Sequence, residues 1–164
     1  MIYLFLLVLL VGMLVKAVDE IEDRKNKKKN PVRFIFAVLY GILLGYIIAN
    51  ASFAMLFLGA FFAQIWVGKV DRLSHQLAAA MVIFSLGHWG LPELDLSLFL
   101  FFFIFAYLDE LILIKPLNVL SEYRMFLKLA ALPFVFLGRW DYLAGILLFD
   151  GGYISAERIF KARP

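Results

Sequence analysis

Apolar residues come along this chain in seven runs, separated by short breaks of charge, glycine or proline. The runs cover 2–18, 32–50, 52–70, 75–89, 96–114, 125–137 and 142–160. A membrane-crossing helix needs about 20 mostly apolar residues. The pattern therefore predicts an all-α chain, a polytopic integral membrane bundle of about seven transmembrane spans. It forms a single membrane domain over 1–164. The first run, MIYLFLLVLLVGMLVKAV, has no basic residue ahead of its apolar core and a positive cluster behind it. Both features predict a retained span rather than a cleaved signal.

The breaks carry the punctuation. DEIEDRKNKKKNP follows the first run, with Asp19, Glu22 and Asp23 spaced to share one helix face. Asn30-Pro31 closes that segment, and Pro31 can open the next helix. In the second run Ala37, Gly41, Gly45 and Ala49 recur at every fourth position. Small residues in that register predict a seam where another helix comes close. LPELD introduces the fifth run, Lys115-Pro116 stops it, and LNVLSEYR is an amphipathic connector. The sixth run contains Lys128 and Pro133, and the seventh has Gly151-Gly152 beside Asp150. A broken or re-entrant segment is an open alternative there.

Composition agrees with the pattern. Hydrophobic residues make up 64% of the chain and mean hydropathy is +0.90, whereas soluble domains are nearer 45–50% apolar. With no cysteine, disulfides and thiolate chemistry are excluded. The net charge of +3 is a topology signal and predicts no nucleic-acid partner. With seven spans, fifteen of the sixteen Lys and Arg residues fall on one side, and only Arg139 on the other. The positive-inside rule then puts the N-terminus outside and the C-terminus in the cytoplasm of a multi-pass cell-membrane protein.

Candidate chemistry lies where acids interrupt the oil. Asp109 and Glu110 sit inside FLFFFIFAYLDELILIKP, and Asp150 inside LAGILLFDGGYI. A carboxylate at bilayer depth costs about 2.5–3.5 kcal/mol on insertion scales, so such residues mark function or a buried partner. Each odd-numbered run carries an acid near its cytoplasmic end: Asp19, Asp71, Asp109 and Asp150. Together they predict an acid-lined funnel with Asp150 at its floor. Asp109, Glu110 and Asp150 are the candidate catalytic groups. Asp71, His75, Asp109 and Asp150 are candidate ligands for a divalent cation, Mg²⁺ or Mn²⁺. Lys69, Arg72, Arg124, Lys128 and Arg158 around the rim could receive phosphate. The plainer readings are a solvated helix end for Asp19 to Asp23 and an interfacial ion pair for Asp71. For Asp109, Glu110 and Asp150 the plainer reading is neutralisation by Lys128 or Arg158.

Asp19-x3-Asp23, followed by a basic loop, Pro31 and a new helix, resembles the first acidic motif of intramembrane aromatic prenyltransferases. Those enzymes hold a Mg²⁺-diphosphate between two such motifs. This chain lacks the opening asparagine and a second DxxxD, and is too short for their nine helices, so the resemblance stays local. Three function classes follow. The first is a metal-assisted enzyme acting on a phosphorylated lipid or isoprenoid. The second is a cation or proton-coupled transporter using the same carboxylates, and the third a non-catalytic membrane subunit. There is no phosphate loop, serine elbow or HExxH motif.

Overall fold

The computed structural model describes residues 2–23, 31–111 and 124–162. Among them are seven α-helices and no strand: α1 Ile2–Asp23, α2 Val32–Asn50, α3 Ala54–Trp66, α4 Leu73–Trp89, α5 Leu96–Leu111, α6 Met125–Phe136 and α7 Asp141–Lys161. The basic cluster Lys25 to Lys29, the Lys115-Pro116 stop and most of the LNVLSEYR connector lie outside the described residues. Helix α1 runs five residues past the apolar segment, carrying Asp19, Glu22 and Asp23 on its final turns. Helix α3 begins and ends inside the predicted 52–70, because Val67 to Arg72 form a turn with Gly68 at φ +81°. Helix α6 continues through Pro133, and α7 through Gly151-Gly152. Neither is broken.

Helix α1 packs on α7 and α2, α2 on α4, α3 on α5, and α6 on both α5 and α7. Small residues decide how closely. A Cβ placed on Gly41 would lie 2.5 Å from the Ala78 carbonyl oxygen, and Gly45 sits against Ser85. The stripe Ala37–Gly41–Gly45 is therefore the seam along which α2 meets α4. Gly12 and Gly152 do the same for α1 and α7, each lying on the other helix's backbone at Phe149 and Leu9. Gly151 faces open space. Of the adjacent glycines, one packs and the other does not.

The bundle has two chemically different ends. One gathers the end of α1 and the starts of α2 and α4, where Glu22 takes hydrogen bonds from Arg33 (3.0 Å) and Ser74 (2.6 Å). The other gathers Ser52, Arg139 and Asp141, with the Ser52 hydroxyl donating to Asp141 at 2.6 Å and Arg139 bonding to both. Between them lies an aliphatic and aromatic core that includes the fully buried Val11, Ile47, Phe53 and Phe102. Every helix also presents large apolar side chains outward, among them Leu6, Ile35, Phe62, Phe84, Ile104, Leu129 and Leu147. Helices α1 and α2, at 22 and 19 residues, are long and apolar enough to cross a membrane.

Candidate functional site

The charged end opens into a cavity of about 290 Å³. Its inner wall is apolar, built by Leu44, Leu56, Phe57, Ala78, Val82 and Ile146. Its mouth is polar, with Asp19, Tyr40, Gln64, His75, Glu110 and Tyr153 contributed by six of the seven helices and Lys69 and Arg124 by two connections. An apolar wall beneath a polar ring is the usual build of a ligand pocket. Farther along the bundle, Phe57 meets Phe53, and Phe102 stacks on Tyr142. Phe53, Phe102 and Tyr142 are almost completely buried, so the cavity is closed on that side.

At the mouth His75 is held from two directions. Its Nε2 lies 3.1 Å from Asp19 Oδ1, and its Nδ1 lies 2.7 Å from the Tyr40 hydroxyl. A carboxylate only accepts, so Nε2 carries the proton toward Asp19. In the neutral ring Nδ1 is then the acceptor, and Tyr40 donates to it. The second oxygen of Asp19 accepts from the Tyr153 hydroxyl at 2.9 Å. Arg124 sits over the rings of Phe149 and Tyr153 at 4.9 and 5.4 Å. Across the mouth, Lys69 and the Gln64 amide both engage Glu110.

The acids expected to share one basin have different fates. Asp109, 2% exposed, accepts the backbone N–H groups of Phe126 (3.0 Å) and Leu127 (2.9 Å). It therefore caps the first turn of α6 from the neighbouring helix, where that turn has no side-chain cap of its own. Asp150 is buried and paired with Arg124 at 2.5 Å and Lys128 at 2.6 Å; it does not line the cavity. Asp71 is exposed and precedes the first turn of α4, so no helix face carries it beside His75. Arg72 pairs with Asp23 at 2.8 Å on the surface, and Arg158 is exposed late in α7. Of the residues singled out from sequence, Glu110, His75, Lys69 and Arg124 reach the cavity, together with Asp19 from the acidic series. Tyr40 and Tyr153 carry no signal in an apolar run, since an aromatic there reads as packing.

Among the described residues, no three His, Asp or Glu side chains come close enough to hold a metal ion. The chemistry available at the mouth is that of ion pairs and a hydrogen-bonded imidazole. Comparison with protein-family models, curated protein sequences and solved structures finds no match to this chain.

Proposed function

We propose that the chain is a multi-pass helical membrane protein whose charged end faces the cytoplasm, and that its cavity takes in a phosphorylated lipid or isoprenoid and acts on it there. The observation that carries this reading is the cavity's own division into an apolar inner wall and a polar ring in which Lys69, Arg124 and His75 stand beside Asp19 and Glu110. That division matches a molecule with an oily body and an anionic head. Outward-facing apolar side chains on all seven helices support the membrane part, because a soluble bundle rarely leaves so much oil bare. Helices α3 and α6, about 20 and 18 Å long at 1.5 Å per residue, are shorter than a hydrocarbon core of about 30 Å. In this reading they cross with flanking turns and local thinning.

Transport is the weaker reading. It calls for a site reachable from both faces, and the packed Phe53, Phe102 and Tyr142 lie between this cavity and the opposite end. The absence of cysteine makes the topology directly testable by single-cysteine labelling with an impermeant maleimide. In right-side-out vesicles, Glu93→Cys and Leu137→Cys should label. Asp71→Cys and Lys161→Cys should label only once the vesicles are inverted. Recovery of the chain in the soluble fraction, or labelling of all four from one side, would overturn the membrane reading.

A further inference from the structure

Four cavity-lining side chains from four helices form one continuous hydrogen-bonded series: Tyr40, His75, Asp19 and Tyr153. Its first three members have the arrangement that activates a weak nucleophile. A hydroxyl lies within hydrogen-bond reach of a base, and a third group orients that base. Tyr153 donates to the other oxygen of Asp19 and so fixes the carboxylate behind the imidazole. A network that only tied helices together would not need to sit at a cavity wall. This one does, with Arg124 over the Tyr153 ring and Lys69 across the mouth of the same cavity.

We propose that Tyr40 is the nucleophile of a Tyr40–His75–Asp19 triad that attacks the phosphoryl group of a lipid-like phosphate ester or anhydride, a proposal that rests on the cavity reading above. As the bond from Tyr40 Oη to phosphorus forms, the phenolic proton passes to His75 Nδ1. The imidazolium stays paired with Asp19. The bond from phosphorus to the leaving oxygen breaks, and that oxygen takes the proton back from Nδ1. Water then attacks the phosphotyrosine, giving one proton to His75, which returns it to the Tyr40 oxygen as the phosphorus–oxygen bond to Tyr40 breaks. Lys69 and Arg124 supply positive charge for the phosphoryl oxygens.

The test uses the full chain in detergent and two probes, a dodecyl and a methyl fluorophosphonate. Each forms a phosphorus–oxygen bond to an activated hydroxyl and expels fluoride. Adducts are mapped by mass spectrometry, with the exposed Tyr3 as an internal control for partition of the long probe into micelles. The dodecyl probe should label Tyr40 at least tenfold faster than Tyr3. Tyr40→Phe should abolish that adduct, His75→Gln should slow it at least tenfold, and Asp19→Asn several-fold. In the unaltered protein the Tyr40 rate should level off once the base that takes its proton is free, rather than follow the phenol's own ionisation. An unassisted phenol would keep gaining as long as the pH rises, and that profile would overturn the triad without any variant having to fold. Binding of dodecyl phosphate with no Tyr40 adduct would also overturn it, while leaving the cavity reading intact. Labelling that depends on His75 but is equally fast with both probes would support the triad and remove the lipid.

Discussion

Replacing Asp109 with alanine separates a structural acid from a catalytic one. The carboxylate accepts two backbone N–H groups at the start of α6, those of Phe126 and Leu127. Truncation leaves both donors without that partner, at about 1–3 kcal/mol for each donor that stays buried. Leu127 is buried and Phe126 only half-buried, so the first donor carries the upper figure and the second the lower. The sum is about 4 kcal/mol. At this chain length about 1 kcal/mol moves the midpoint by roughly 2–4 °C, so Asp109→Ala should melt about 8–16 °C below wild type. Asp109→Asn keeps one acceptor oxygen and should recover about half of the loss. The assay is thermal unfolding of purified protein in detergent, followed by circular dichroism. If Asp109→Ala melts with the wild type, Asp109 is not holding α6, and the cap assignment fails.

Two further substitutions probe the packing and the surface. Gly152→Val drives a branched side chain into the Leu9 carbonyl and should cost at least about 1–3 kcal/mol, the usual range for overpacking; an unchanged denaturation midpoint would show that α1 and α7 are not held this close. The Arg72–Asp23 pair is largely solvent-exposed, and its hydrogen bond holds the Arg72 guanidinium above its ordinary range. Arg72→Ala should cost no more than about 1 kcal/mol, and the difference should vanish in 1 M salt. A larger effect that persists in salt would mean that the arginine acts through packing.

The positions of the seven helices, and the charge carried at their ends, were legible in the apolar runs and their breaks. So was the α2 seam, because Ala37, Gly41 and Gly45 fall in one register, and Gly41 and Gly45 do lie against Ala78 and Ser85. Which acids face the cavity was not legible. Successive residues of an α-helix point about 100° apart, so a small rotation of α5 decides between two very different roles for its neighbouring carboxylates. Asp109 turns toward α6 and caps it, while Glu110 turns toward Lys69 and the cavity. The same holds at the end of α1: Asp19 reaches His75, Glu22 is buried against Arg33 and Ser74, and Asp23 meets Arg72 on the surface.

Periodicity and charge count are properties of the chain taken one segment at a time, and those alone determined that it is all-α, cysteine-free and sharply divided between oil and charge. Pairing Tyr40 with His75 across 35 positions, and Asp150 with Arg124 rather than with solvent, required the order and rotation of the helices around the bundle. That order is set by the summed packing of every helix on its neighbours, a quantity that no single stretch of sequence contains.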